Sequence, residues 1–300
     1  MTEARALHTT APESTMDPVA LALVAGELCH LPAVASQDWA EQAADAMTGI
    51  DRWCRIAVMI AHADETGRLS SIEAVGVRST VDESRRMSDP KGDLVSARVK
   101  LGRFTDLGFP INRDAFKRGL SANLDDLTSW RDGPIGRVWD TAGIDRLLLG
   151  IAPISSESGG RCIITLAALG PAMERSARAD PRTLGALMIL LNRRALLALP
   201  AGEEINWLTD REQDVLSRLT LGRSVREIAD ELGRSPHTVH DHVKSLHRKL
   251  KASSRGELVA RALGHTSEHT PAIDPIVIER LRAATQIEPT PGIARRVAQP

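Results

Sequence analysis

Helix boundaries are written into residues 207–264 more plainly than anything else in this 300-residue sequence. A capping box needs Ser or Thr at the N-cap and Glu three residues on, so that each side chain satisfies the other residue's free backbone N–H. The pattern occurs at Thr209-x-x-Glu212, Ser224-x-x-Glu227 and Ser254-x-x-Glu257. Ser235 followed by Pro236 marks a fourth start, because proline at the first helical position gives up an N–H that has no partner there anyway. Gly222 and Gly233 supply stops, since glycine enters the left-handed conformation that ends a helix without a Cβ clash. The punctuation predicts four short helices, about 210–221, 225–232, 236–250 and 255–263.

Their apolar positions converge on one core. Val215, Leu216 and Leu219 come from the first helix, and Ile228, Ala229 and Leu232 from the second. The third offers Val239, Val243, Leu246 and Leu250, a stripe that buries one side and leaves the other free. Only Gly233-Arg234-Ser235 joins the second and third helices, the tight connection of a helix-turn-helix. In that motif the second helix of the pair enters the DNA major groove. The free side of the third helix carries His237, Thr238, His240, Asp241, Lys244, Ser245 and Arg248. From Arg234 to Arg255 there are six basic residues against Asp241 alone, a surplus of five positive charges in a chain of net charge −1. A local basic patch of this kind attracts the phosphate backbone.

The string LTDREQDVLSRLTLGRSVREIADELGRSPHTVHDHVKSLHRKL closely resembles the LuxR-type (GerE-like) DNA-binding domain. Among the positions that carry the resemblance are Leu208, Thr209, Glu212, Gly222, Ile228, Ala229, Ser235, Thr238, Val239, His242, Lys249 and Leu250. The resemblance implies that the third helix reads bases, through His240, Asp241 and Lys244. It implies backbone contacts from Ser235, Thr238, His242, Arg248 and Lys249. Arg211 and Glu212 are expected to orient helices rather than touch DNA. Lys244 can donate to guanine O6 and N7, whereas a carboxylate at Asp241 accepts from cytosine N4 and is repelled elsewhere. Asp241 is therefore expected to penalise most sequences. The fourth helix has Leu258, Ala262 and Leu263 at three-to-four spacing. Such a strip alone reads as core, and the resemblance turns the expectation towards a homodimer seam on a two-fold-related operator.

Upstream the texture differs. Residues 1–16 are polar and aperiodic and read as a flexible tail. Asp17-Pro18 opens a helix that ends near Leu31-Pro32, and Ser36 is expected to cap a second helix to about Thr48. Residues 53–61 (WCRIAVMIA) and 69–78 (LSSIEAVGVR) suggest a hairpin, and 144–154 and 161–169 repeat that texture. Between them, short helices around Lys91–Leu101 and Asn112–Leu120 are expected. Residues 181–199 carry Leu184, Leu187, Met188, Leu191, Ala195 and Leu199 at helical spacing. Residues 17–199 thus read as an α+β domain, an antiparallel sheet with flanking helices that is similar in architecture to GAF and PAS sensory domains. Residues 200–206 follow as a linker, 207–264 as the all-α helix-turn-helix domain, and 265–300 as a Pro-rich disordered tail apart from an isolated helix expected over Pro275–Ala284.

Composition narrows the function. No run reaches 18 consecutive apolar residues and no basic start precedes an apolar stretch, so a cytoplasmic location without membrane contact is expected. Cys29, Cys54 and Cys162 lie far apart, without CxxC spacing, which argues for free thiols and against a metal. No GxSxG, HExxH or GxxxxGK[ST] is present, so neither catalytic residues nor a cofactor are expected and the chain does not read as an enzyme. The strand alternation of a phospho-receiver is missing. The LuxR-type acyl-homoserine-lactone cage includes Tyr, and this chain has none. A pocket near Trp53–Ile60 and Leu147–Ile154 for an unidentified small molecule stays open, as does a purely dimerising or polymerase-contacting role. Trp53, Trp130 and Trp139 are assigned to packing. The expected partners are double-stranded DNA, a second copy of the chain and RNA polymerase. A non-DNA adaptor, or a GAF/PAS-like enzyme domain fused to a DNA-binding module, are the alternatives.

Overall fold

The computed structural model describes residues 16–63, 69–80, 113–127, 130–132, 144–154, 160–170, 179–199, 205–265 and 274–282. Two helices lead: α1 (Pro18–His30) and α2 (Trp39–Ala46), the latter running into a 3-10 turn at Met47–Ile50. Asp17 caps α1 as expected, its carboxylate accepting from Val19 N at 3.1 Å. Ser36 does not cap α2. Asp38 occupies the N-cap position, and Ser36 instead forms a parallel bridge with Leu208. Sequence-local capping rules cannot anticipate a partner so far along the chain.

The sheet contains β1 (Cys54–Ala63), β2 (Leu69–Ser79), β3 (Leu120–Asn123), β4 (Arg146–Pro153) and β5 (Arg161–Leu169) in the order β2-β1-β5-β4-β3, with every pair antiparallel. Both expected hairpin textures are real strands, but β1 and β4 each pair with the central β5. Every residue of β5 is buried, which explains why it is apolar apart from Arg161 and Thr165: a strand covered on both faces has no polar alternation. One face, with Ile56, Val58, Ile60, Ile163 and Leu169, packs under α1, α2 and the long helix α5 (Pro181–Ala198). The other face, with Met59, Leu149, Ile151, Ile164 and Leu166, packs against Phe116, Leu124 and Leu127 from the short helices α3 (Arg113–Arg118) and α4 (Leu124–Leu127). Trp53 is half-buried against this second face, while Trp139 and the helix expected at 91–101 lie outside the described residues. The helix expected over 112–120 stops at Arg118, and the chain then turns into the edge strand β3.

Four helices follow: α6 (Asp210–Thr220), α7 (Val225–Leu232), α8 (Pro236–Lys249) and α9 (Arg255–Ala262). Their bounds lie within about one residue of those the caps dictate, as local hydrogen bonding allows. Gly233 ends α7 with φ 61°. Leu208, Val215, Leu219, Ile228, Val239, Leu246 and Leu258 form their core. A last helix, α10 (Pro275–Arg282), lies in the region read from composition as a tail, and it is not isolated: Val277 and Leu281 are buried in the cluster under α5. No described helix is long and apolar enough to cross a membrane.

The three thiols differ in access. Cys29 is exposed; Cys54 and Cys162 are buried. Burial pushes the Cys54 thiol up to about 11, against a hydrogen bond from Thr80 that works the other way, and burial alone raises Cys162. Ellman's reagent is expected to titrate Cys29 promptly in the native protein, and Cys54 and Cys162 only on addition of denaturant. Prompt native labelling of all three would contradict this packing.

Candidate nucleic-acid interface

The interface is built on α8, and three things fix that helix. Its start is capped by Ser235, whose Oγ accepts from Thr238 N at 3.1 Å and lies 2.9 Å from Thr238 Oγ1. Val239 and Leu246 anchor its inner side in the four-helix core. Its rotation about its own axis is locked by Glu212 at the start of α6. That carboxylate accepts from Lys249 Nζ at 2.6 Å, from Ser245 Oγ at 2.7 Å and from Thr209 N at 2.8 Å. Lys249 Nζ also donates to the Trp207 carbonyl at 2.7 Å.

Glu212 is thus a capping residue and a cross-helix clamp at once. Burial of its carboxyl pushes the pKa upward, but the hydrogen bonds from Lys249, Ser245 and the Thr209 backbone outweigh this and hold it at about 2. The orienting role expected of Glu212 is realised. Lys249 is corrected: it was expected to meet the DNA backbone, yet its amine is turned into this network and its side chain is only 19% exposed. Ser245, read as lying on the free side, is likewise drawn inward. A capping box is legible in sequence, but the second and third donors to its Glu come from another helix and are not.

The outer side of α8 presents His237, His240, Asp241, Lys244 and Arg248 to solvent. Asp241 sits between two of them, with one oxygen 3.6 Å from His237 Nε2 and the other 3.6 Å from Lys244 Nζ. Pairs this exposed are weak and readily exchanged for a ligand. His242 is half-buried and lines a cleft of about 240 Å³ with Arg211, Arg234 and Thr238. The three expected base readers therefore share one exposed face, with Arg248 beside them and Ser235 and Thr238 at its N-terminal end.

The seam expected on α9 needs revision. Leu258 is fully buried in the core and is not available to a second copy, while Ala262 packs against that core and is partly buried. Leu263 is 55% exposed, and Val259, one turn earlier, is half-exposed. The third capping box also differs in detail: Ser254 accepts from Glu257 N, while the Glu257 carboxylate bonds Ser253 N and Arg261. Among the described residues no three His, Cys, Asp or Glu side chains cluster to hold a metal.

The short turn, the buried stripe and the exposed polar face define a helix-turn-helix domain. Residues 206–262 match the family described as bacterial regulatory proteins, luxR family, and this part of the chain is a LuxR-type helix-turn-helix domain. The chain is 37% identical over 83 residues to the probable transcriptional regulatory protein NarL of Mycobacterium tuberculosis, covering 28% of this chain and 36% of that protein. It is 50% identical over 54 residues to the transcriptional regulatory protein UhpA of Escherichia coli, covering 18% and 28% respectively. The chain therefore spans about a third of the length of these curated relatives. The crystal structure of Escherichia coli SdiA aligns over 71% of this chain and 85% of that one, at 22% identity and a TM-score of 0.31.

The Glu212 network carries a pH signature. Its folded value lies below the ordinary 4.5, so its contribution to stability is complete above pH 4.5 and is lost as pH falls towards about 2. Glu212→Gln is expected to cost on the order of 3 kcal/mol at neutral pH, because the Lys249 amine is left without its counter-charge. The substitution should also flatten the decline between pH 4.5 and 2. Urea denaturation across that range checks both; equal slopes for the two proteins would remove the network as the source.

Proposed function

We propose that this protein is a sequence-specific, DNA-binding transcriptional regulator. Residues 207–264 read an operator in the major groove, residues 17–199 regulate that binding, and 200–206 link the two. His240, Asp241 and Lys244 read bases; Ser235, Thr238, His242 and Arg248 meet phosphates. The observation that carries the reading is the exposed polar face of α8, held outward by the Glu212–Ser245–Lys249 network on a LuxR-type domain. The relatives that match part of this chain are transcriptional regulatory proteins, which supports a regulator rather than an enzyme.

The protein acts as a homodimer on a two-fold-related site, with Leu263 and Val259 at the centre of the α9 seam in place of the buried Leu258. The sheet domain serves as the input, responding to a small molecule, and RNA polymerase is the partner at the promoter. The protein works in the cytoplasm.

On a duplex selected from a random pool, affinity is expected to fall steeply with salt, with a log–log slope of about −0.9 for each phosphate neutralised. Lys244→Ala should weaken the selected site by about 1–3 kcal/mol and relax its sequence preference, while leaving the denaturation midpoint in place. A helical bundle that serves only protein contacts would show little affinity for any duplex at any salt.

Asp241→Ala separates two effects of the carboxylate. Affinity for mismatched duplexes is expected to rise, because a carboxylate repelled by most base edges is removed, and ratios between site variants should shrink. Unchanged ratios, measured by competition across single-base variants, would take Asp241 out of the specificity set.

A further inference from the structure

We infer that the outer face of α1 is a surface for a second copy of this chain, which packs its own α1 antiparallel to the first about a two-fold axis. That seam presupposes the homodimer proposed above and adds to α9 a surface on the sheet domain.

The sequence of α1, PVALALVAGELCH, is apolar almost throughout, with Glu27 its one acid and His30 its one base. A helix that is apolar all round is normally buried all round. α1 is buried on one side only, where Val24 and Leu28 enter the core shared with α5. Val19, Leu23, Gly26 and His30 follow one another at three-to-four spacing along the opposite side, with Ala22 and Cys29 on one edge of the strip and Glu27 on the other. Among the described residues five large apolar side chains are exposed, and two of them, Val19 and Leu23, stand in this strip. Exposed apolar surface gathered in one place marks an interaction site.

Gly26 lies in the middle of the strip, in a helix interior where glycine is a poor helix former. Close packing accounts for other glycines of this domain: a Cβ on Gly76 would stand 2.0 Å from the Ala40 carbonyl oxygen, and one on Gly185 1.8 Å from that of Leu281. A Cβ on Gly26 would meet nothing within 4 Å. No described part of the chain needs the hollow at Gly26, so its occupant comes from outside.

Two features of the strip fit a second copy. Leu23 is a knob and Gly26 a hollow, three residues apart on the same face. When two such strips meet antiparallel about an axis between these positions, each Leu23 stands opposite the other copy's Gly26, and one surface serves both copies, as an isologous contact requires. Antiparallel pairing also brings the exposed carboxylate of Asp17, at the start of one helix, to the end where the other carries His30, and it opposes the two helix dipoles. Parallel pairing would bring like ends together. A single pair of helices about 20 Å long is short of the roughly 1,200 Å² that a stable interface buries. α9 extends the surface: a Cβ built on Gly264 would stand 3.2 Å from Ala33 Cβ, three residues beyond the end of α1, and Leu263 beside it is exposed. The strip and the end of α9 thus adjoin, and one partner can cover both.

Sedimentation equilibrium on the full chain tests this with wild type, Leu23→Lys, Gly26→Gln and, as a control, Leu221→Lys, which changes another exposed leucine at the end of α6. Wild type is expected to dimerise. Leu23→Lys places two ammonium groups beside the axis, and Gly26→Gln fills the hollow. Each should weaken dimerisation by about 10–100-fold, the usual loss at the centre of an interface, and the control should not. Gly26→Gln puts a better helix former where its own chain leaves space, so its effect is not a failure to fold, and an undiminished urea midpoint at dissociating concentrations checks this. If either strip variant dimerises as tightly as wild type, or the control weakens as much as they do, the α1 seam is wrong and the homodimer uses another surface. If wild type is a monomer at every concentration, the homodimer itself falls and the α1 seam with it.

Discussion

The carboxylate of Glu212 sets the orientation of the surface by which this protein is proposed to act. It closes the capping box at the start of α6, and it receives Ser245 and Lys249 from one side of α8. Those two residues are four apart, so a single anion takes hold of a full turn of the helix. With Val239 and Leu246 buried on the adjacent side, α8 has one rotational setting, and in that setting His240, Asp241 and Lys244 face outward. Hydrophobic burial alone would tolerate some rotation. An ion that binds two directional donors from α8 does not, and so the outward face of α8 depends on a residue buried behind it.

The sheet domain uses a different device. β5 is buried along its whole length because helices cover both faces of the sheet at its centre. Such a strand gives rigidity without side-chain specificity, which is why its sequence is almost featureless apart from hydrophobicity. Specific features gather at the margins instead. Arg161 begins β5 with a bidentate pair to Glu73, and His62 lies 2.7 Å from the same carboxylate. Opposite these, Asn192 of α5 donates to the Pro153 carbonyl at the end of β4.

What could be read from the sequence follows the range of the interactions involved. Caps and left-handed stops are settled within four residues, and the four helices of the C-terminal domain were legible nearly to the residue. The hairpin textures of β1, β2, β4 and β5 were legible because burial leaves an apolar run, whereas their order was not, since β5 sits between strands far from it in sequence. β3 escaped notice because four residues carry too little periodicity to show, and its identity comes from pairing with β4. The site was legible to the extent that charge and exposure decide it: His240, Asp241, Lys244 and Arg248 lie outside as expected. Lys249 and Leu258 depart from the expectation for one reason: partners on other helices take each inward, Glu212 of α6 for Lys249 and the four-helix core for Leu258.

The junction between the two domains shows how little sequence is needed to join them. Leu208 puts its side chain into the four-helix core, and its own N–H and carbonyl bond to Ala35 and Gln37 in the loop between α1 and α2. Val34, from that same loop, enters the four-helix core in return. Side chain and backbone of one residue thus belong to different domains, and neither domain can shift past Leu208 without breaking a bond or opening a cavity. Both costs are local and modest beside the burial that holds each domain together. Two backbone hydrogen bonds and two exchanged apolar side chains are thus enough to tie the four-helix core to the loop between α1 and α2.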